Sequence, residues 1–441
     1  MIWKFVDSAK RANKFDLLRA GGRSFITHAA AAACGLAISL LIARQFGAEG
    51  AGLYALAMML TGVLGGVASL GLDLGAVKIF ARDESGETAP CGAAVRRAMA
   101  LALGVAVLLA AGLWAGGGWI GEAAFNSAAL AAVMPLIALG VVFRGMTHFF
   151  AALARAWHWV VWHKVLTQLL FRAVLLVALL LGIPATASGV ISVFTAALGL
   201  SALVGAFVVW RFLTATSGGI GETSGVRGML ALSLPLLGVG LANHASDWLS
   251  VLLVGVATDE ATVGVFRVCL QLIWIPGMML AAINTILAPK AASLSRAQRF
   301  DDLAEMTRSA TGILVVGTIP FFVLFFAVPT LPLGLFGQAF EAGDAALRIL
   351  AVGQLLNLAT GPVGMLLAMM GRERVLLLIA SFEMVLLVIL GLWLIPMLGL
   401  EGAAIATSVT LAARNIVTWV LAIRLLGINP AMGRYRAPST S

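Results

Sequence analysis

Gly47-Ala48-Glu49-Gly50-Ala51-Gly52-Leu53-Tyr54 joins two long apolar runs, and Asp259-Glu260-Ala261-Thr262-Val263-Gly264-Val265-Phe266 joins another two. Gly52 and Tyr54 match Gly264 and Phe266 at an offset of roughly 212 positions. A second match lies farther along. Leu181-Gly182-Ile183, Gly189 and Arg211 correspond to Leu398-Gly399-Leu400, Gly402 and Arg424, the last two pairs offset by roughly 213. Glycine is common here, so either match alone is weak. Their agreement in offset and in place along the chain reads as two copies of one design.

Working outward, the apolar runs number twelve, at about 24–43, 52–78, 98–120, 127–153, 160–182, 187–210, 229–256, 262–289, 310–336, 346–370, 375–397 and 400–423. Each reaches the roughly 20 residues a helix needs to cross the hydrocarbon. Gly71 in the second run, Pro276 in the eighth and Pro320, Pro329 and Pro332 in the ninth mark these long runs as tilted or bent.

Charge orders the connections. Lys and Arg fill every second one: Lys4 to Arg23 before the first run, then Lys78, Arg82, Arg96 and Arg97, then Arg155 and Lys164, and so on to Arg424, Arg434 and Arg436. The alternate connections carry Glu49, Glu122, Asp259, Glu260, Glu341, Asp344 and Glu401, with Arg44 the one clear basic exception. Cytoplasmic loops retain Lys and Arg, so this comb predicts a multi-pass membrane protein with both termini in the cytoplasm.

The expected fold is an all-α integral membrane protein of 12 transmembrane helices in two six-helix lobes. Six spans per half is even, so both halves enter from one side and their pseudo-two-fold axis runs along the membrane normal. Residues 1–20 are expected to form a cytoplasmic amphipathic N-terminus and 21–211 the first lobe. Residues 212–228, with Ser217-Gly218-Gly219, form a cytoplasmic linker, 229–425 the second lobe and 426–441 a cytoplasmic tail. Two parallel lobes around a central cavity is an alternating-access transporter design.

Composition excludes much else. The chain is 61% hydrophobic and only 11% charged, where a soluble globular domain carries about 25% charge. The net charge of +9 is spread over the cytoplasmic loops, where it sets topology and meets anionic headgroups, so no nucleic-acid partner is expected. Cys34, Cys91 and Cys269 show no metal or redox spacing. No Walker loop, zinc-protease motif or nucleophile elbow appears, and neither an enzyme nor a bound cofactor or metal is expected.

Seven charges lie within the runs and away from their ends: Arg144, Arg172, Arg267, Arg414, Asp73, Asp247 and Glu383. A charge at mid-bilayer costs at least about 2.5–3.5 kcal/mol, and such residues face a wet path or pair with one another. Guanidinium stays charged and grips phosphate oxygens in a bidentate fork, so the four arginines are expected to bind an anionic cargo headgroup. Asp247, which follows Asn243 and His244, forms a polar cluster suited to H⁺ or Na⁺ coupling. Asp73, Glu383 and His244 are the other coupling candidates. The alternative is structural: Asp247 paired with Arg267 or Arg414, and Asp73 and Glu383 meeting headgroup-level cations.

At the family level, Leu41-Ile42-Ala43-Arg44-Gln45-Phe46-Gly47-Ala48-Glu49-Gly50-Ala51-Gly52-Leu53-Tyr54 resembles the opening of bacterial polysaccharide flippases of the multidrug/oligosaccharidyl-lipid/polysaccharide exporter superfamily. Asp247 with Gly264-Val265-Phe266, and Leu398-Gly399-Leu400-Glu401-Gly402-Ala403-Ala404-Ile405-Ala406, are similar to the start of its second half and to its last span. The resemblance implies a MATE-like fold. It implies alternating-access transfer of an undecaprenyl-diphosphate-linked oligosaccharide, a polysaccharide repeat unit, from the inner to the outer leaflet of the bacterial cytoplasmic membrane. The implied partners are that lipid-linked oligosaccharide, membrane lipids, and a polysaccharide polymerase and glycosyltransferases; a monomer is expected. Two alternatives stand beside it. One is an ion-coupled multidrug antiporter of the same superfamily, which the absence of an acid between Arg23 and Arg44 disfavours. The other is a non-transporting scaffold for polysaccharide synthesis.

Overall fold

The structure is a computed structural model, and it describes the backbone of residues 2–80, 92–157, 159–215, 226–429 and 434–435. The helices are α1 (Ile2–Ala68), α2 (Leu72–Ile79), α3 (Gly92–Trp119), α4 (Ala128–Ala156), α5 (Val160–Lys164), α6 (Leu170–Leu180), α7 (Ala187–Ala215), α8 (Val226–Ala257), α9 (Glu260–Arg296), α10 (Phe300–Ala327), α11 (Thr330–Gly334), α12 (Asp344–Ala359), α13 (Val363–Met369) and α14 (Glu373–Leu426). Among the described residues the regular structure is helical except for one short antiparallel ladder, which the all-α expectation did not include. In it β1 (Ile428–Asn429) pairs with β2 (Arg434–Tyr435). Gly427, left-handed at φ 68°, ends α14 just before it.

Among the described residues, eight helices are long and apolar enough to cross a membrane, or nine if the bent pair Gln338–Ala359 and Val363–Met369 is one span. Two of the eight, the 39-residue Ala30–Ala68 and the 53-residue Arg374–Leu426, are each interrupted at a glycine. In α1, Gly47 (φ 68°, ψ −167°) separates the expected first and second spans. In α14, Gly399 (φ 55°, ψ −124°) separates the eleventh and twelfth. Side chains with a Cβ avoid these conformations, so the chain turns there without losing a residue to a loop.

Other expected spans are shorter or broken. The second ends at Ala68, because Leu70 and Gly71 take positive φ and the chain restarts as α2. A Cβ on Gly71 would meet the Ser233 carbonyl oxygen at 2.1 Å, so the reversal is held against α8. The ninth breaks at Pro329 between α10 and α11, and the tenth bends by 43° between α12 and α13.

The outward surface is apolar. Trp114 on α3 is 68% exposed and Leu378 on α14 is 71% exposed, with Leu108, Val316 and Trp393 alike in this. In water such a coat would be an aggregation surface. On helices of this length it is the face that meets acyl chains.

The chain divides into two compact units. Unit 1 comprises Met1–Leu41, Leu60–Gly118 and Ala132–Gly240; unit 2 comprises Ile42–Met59, Trp119–Ala131 and Leu241–Ser441. Unit 1 is cored by Leu72, Phe80, Phe149, Phe150, Leu153 and Trp157. A cluster in unit 2 gathers Ala291, Leu303, Leu366, Leu367 and Leu426.

Within each unit the same cross-helix contact recurs. Thr195 Oγ1 donates to the Leu136 carbonyl at 3.2 Å in unit 1, and Ser408 Oγ donates to the Ile349 carbonyl at 2.7 Å in unit 2. Each pair is separated by 59 residues. A hydroxyl that satisfies itself on a neighbouring helix holds two helices in register without burying an unmet polar group. The space beside each hydroxyl is left by a glycine, Gly140 beside Thr195 and Gly353 beside Ser408.

Candidate anion-binding site

Of the four arginines expected to bind cargo, Arg144 and Arg172 come together in unit 1. They meet over one buried ring. The Cζ of Arg144 lies 5.1 Å from the centroid of Phe171, and that of Arg172 lies 5.5 Å from it. Phe171 is 2% exposed and packs edge-on against Phe194, with centroids 6.0 Å apart and planes at 72°.

Local structure places these groups. A π turn at Val165–Leu169 precedes α6. Such a turn holds one residue more than an α turn, so the residues of α6 are rotated by about 100° from their places in an unbroken helix. Phe171 and Arg172 are the second and third residues after it.

Two glycines of α1 stand beside the cations, and one of them makes room. A Cβ on Gly65 would lie 2.6 Å from Arg144 Cγ and 2.8 Å from its Cβ, so the aliphatic stem of Arg144 fills the space that a side chain would take. A Cβ on Gly35 would lie 3.8 Å from Arg172 Cζ, in ordinary contact. One turn earlier, the Ala31 carbonyl accepts from Arg172 Nη1 at 2.8 Å.

The energetics of this arrangement are close to balance. Each ring contact contributes about 0.5–2 kcal/mol, depending on desolvation. Two like unit charges gathered on one ring repel, by roughly 2–4 kcal/mol for separations of about 4–10 Å at an effective dielectric constant near 20. A polyanion that accepts from both guanidiniums turns that repulsion into two attractions, which is what this pair is chemically able to do.

The other expected site residues lie elsewhere. In unit 2, Arg414 Nη1 donates to both carboxylate oxygens of Glu383, at 3.2 and 3.3 Å. Glu383 is 5% exposed. Arg267 is half-buried on α9 between the buried Phe266 and Val268. Asp73 stands in the first turn of α2, where an acid complements the helix dipole, and accepts from Ser69 Oγ at 3.3 Å. Its main-chain carbonyl accepts from Arg155. The side chains of His244 and Asp247 lie outside the described residues, and so does the expected pairing of Asp247.

Sequence reasoning did not find Phe171, although its adjacency to an intramembrane arginine was a usable signal. Gly65 is one of many glycines in the apolar runs, and nothing in the sequence marks its recess for Arg144. A counterpart exists in unit 2. A Cβ on Gly277 would meet Gln354 Nε2 at 2.7 Å, and Asn357 Nδ2 donates to Gln354 Oε1 at 3.3 Å. Gly277 stands 212 positions after Gly65 and Asn357 stands 213 after Arg144. The second glycine recess therefore faces neutral amides where the first faces a cation.

Similarity to solved structures extends over nearly the whole chain. An inward-facing multidrug resistance MATE family transporter of the MOP superfamily aligns at a TM-score of 0.69 and 15% identity, over 88% of this chain and 92% of that one. The lipid II flippase MurJ, in an inward closed conformation, aligns at 0.71 and 13% identity, over 90% and 86%. The MATE multidrug transporter DinF-BH aligns at 0.62 and 19% identity, over 95% and 96%. At these identities the likeness is one of fold. No curated protein matches the chain in sequence. A family model described as polysaccharide biosynthesis protein matches residues 24–295, more than half the chain. This multi-pass membrane chain therefore belongs to the polysaccharide biosynthesis protein family, on the fold of the MOP superfamily transporters.

Proposed function

We propose that this chain is a flippase that moves an undecaprenyl-diphosphate-linked oligosaccharide from the inner to the outer leaflet of the bacterial cytoplasmic membrane. The observation that carries the reading is the convergence of Arg144 and Arg172 on Phe171, inside helices of a protein whose family makes polysaccharides. A diphosphate offers several oxygens to two guanidinium forks, and the forks impose orientation as well as attraction. Arg267 belongs to the same proposed set. Arg414 takes a lesser part, because Glu383 already holds its guanidinium on two oxygens. The protein works as a monomer with both termini in the cytoplasm. Coupling to H⁺ or Na⁺, if the cycle uses it, falls to Asp247 and His244, since Asp73 and Glu383 have structural partners.

The test is translocation in vesicles reconstituted with the purified protein and a fluorescent undecaprenyl-diphosphate oligosaccharide. Arg144→Ala and Arg172→Ala should each slow transfer at least tenfold, and Arg172→Lys should recover part of the rate. Wild-type rates from both alanine variants would refute the anion site. Protection of cells from cationic dyes, with no sugar-lipid transfer, would favour the antiporter reading.

A further inference from the structure

The stretch that reveals the repeat also makes a contact with its own copy. A Cβ on Gly52 would lie 1.7 Å from the Glu260 carbonyl oxygen, and a Cβ on Gly264 would lie 2.1 Å from the Ala48 carbonyl oxygen. The two contacts are the same contact twice, since Gly264 follows Gly52 by 212 positions and Glu260 follows Ala48 by 212. Both glycines have ordinary helical φ, so space and not backbone conformation is what glycine supplies here. What they meet is main chain, which cannot swing aside as a side chain would. Residues 48–52 thus lie directly on 260–264, carbonyl against Cα.

Two further bonds tie the same region, all of it inside unit 2. Ser127 Oγ donates to the Glu260 carboxylate while accepting from the Leu130 N–H at 2.9 Å, so the start of α4 is fastened to the start of α9. Arg44 Nε donates to the Leu335 carbonyl at 2.7 Å. By the charge pattern, Glu49, Glu122, Asp259 and Glu341 place these connections on the extracytoplasmic side.

We propose that the reciprocal Gly52–Glu260 and Gly264–Ala48 contact is a clasp that closes the extracytoplasmic end of the transport route and parts once per cycle. This rests on the alternating-access reading above. Three features fit a device that opens. Its contacts are of the weak Cα–H···O kind and need no side chain to repack. It joins the two repeats at equivalent positions, so both contacts lie on one crossing and part together. The polar ties at its margin, from Ser127 and Arg44, are single hydrogen bonds to one acceptor each.

Ala51 and Ala261 are the chain neighbours of Gly52 and Glu260, so a short thiol cross-linker spans cysteines placed there. The experiment uses full-length protein in nanodiscs with Cys34, Cys91 and Cys269 replaced by Ala. Spin labels at Glu49→Cys and Ala257→Cys report the separation by pulsed electron paramagnetic resonance. Gly52→Ala and Gly264→Ala should each add a population at longer distance. Gly353→Ala, a tight contact elsewhere in unit 2, should not. In a second arm, a short methanethiosulfonate cross-linker joined by disulfides to Ala51→Cys and Ala261→Cys should stop oligosaccharide-lipid transfer, and reductant should restore it. Folded alanine variants with wild-type distances, or wild-type transfer by the disulfide-locked protein, would overturn the clasp. If the alanine variants do not fold, the disulfide arm decides. If no version transfers the lipid, the cargo reading has failed, and the spin-label distances still decide the clasp.

Discussion

The Glu383–Arg414 pair invites a quantitative test, because it separates a structural carboxylate from a coupling one. Glu383 is 5% exposed, while the side chain of Arg414 is 35% exposed. Removing one partner of a fully buried pair costs about 3–5 kcal/mol, since the other charge is left uncompensated in low dielectric. The partial exposure of Arg414 lets water and headgroups screen the survivor, so about 2–3 kcal/mol is expected for Glu383→Leu. Glu383→Gln keeps the shape and one acceptor and should lose less. In Glu383→Leu/Arg414→Met neither charge remains, and apolar surface against apolar neighbours should restore most of the loss. The double-mutant cycle should thus give a coupling energy of about 1.5–3 kcal/mol, within the range for residues in contact. The assay is reversible unfolding in detergent micelles, with translocation by the same proteins measured alongside. Strict additivity of the two single losses would refute the structural pairing. So would an unchanged stability of Glu383→Leu combined with loss of pH-dependent transport, which would return Glu383 to ion coupling.

Three other perturbations have definite outcomes. Gly65→Ala would drive a Cβ into the root of the Arg144 side chain and should cost about 1–3 kcal/mol in thermal unfolding together with a loss of transfer; Gly277→Ala meets the mobile tip of Gln354 and should cost less on both measures. Phe171→Leu removes two cation–π contacts of about 0.5–2 kcal/mol each and an edge contact with Phe194 of about 0.5–1.5 kcal/mol, so calorimetric binding of inorganic diphosphate should weaken several-fold without being abolished. Asp259 caps α9 by accepting from the Thr262 N–H at 2.8 Å, and its hydrogen bonds from Thr262 hold its carboxyl below the ordinary carboxylate range. Because the folded value is depressed, its contribution is full above the unfolded value and fades as pH falls through the folded one. Spin labels at the start of α9 should therefore loosen at strongly acidic pH in the wild type and show no such transition in Asp259→Asn, which keeps a capping oxygen but no titration.

The sequence carried the order of the helices and the glycines at which they turn, because apolar length and positive-φ demand are local properties. It also carried the candidate arginines, because an intramembrane charge is conspicuous wherever it points. It did not carry the choice among them. The π turn at Val165–Leu169 sets the face of α6 on which Phe171 meets Arg144, and nothing in Val-Leu-Thr-Gln-Leu announces a π turn. Arg414 meets Glu383 across 31 residues and the break at Gly399, so neither helix periodicity nor proximity in sequence links them. The expectation that Asp73 and Glu383 would meet headgroup-level cations was too general. Asp73 has a serine and a helix terminus, and Glu383 has a specific guanidinium.

The two repeats differ in a patterned way. Positions where backbone approaches backbone, or where a hydroxyl bonds a neighbouring helix, keep their chemistry across the 212–213-residue offset: Gly52 and Gly264, Gly140 and Gly353, Thr195 and Ser408. Each is constrained by atoms that have no alternative, since a carbonyl cannot move aside and a buried hydroxyl must find an acceptor. The side chain at the glycine recess has diverged, from Arg144 over Gly65 to Gln354 over Gly277, and the position equivalent to Arg144 is Asn357, which donates to Gln354. The Gly277 recess receives the tip of Gln354 where the Gly65 recess receives the stem of Arg144, so what distinguishes the copies there is the ligand each is able to attract. A guanidinium selects phosphate and a carboxamide does not. On this argument Asn357→Arg should be accepted by the fold and should raise diphosphate binding measured by calorimetry, whereas Arg144→Asn should lower it with little change in unfolding temperature. Loss of folding in Asn357→Arg would show that the second recess is part of the packing after all.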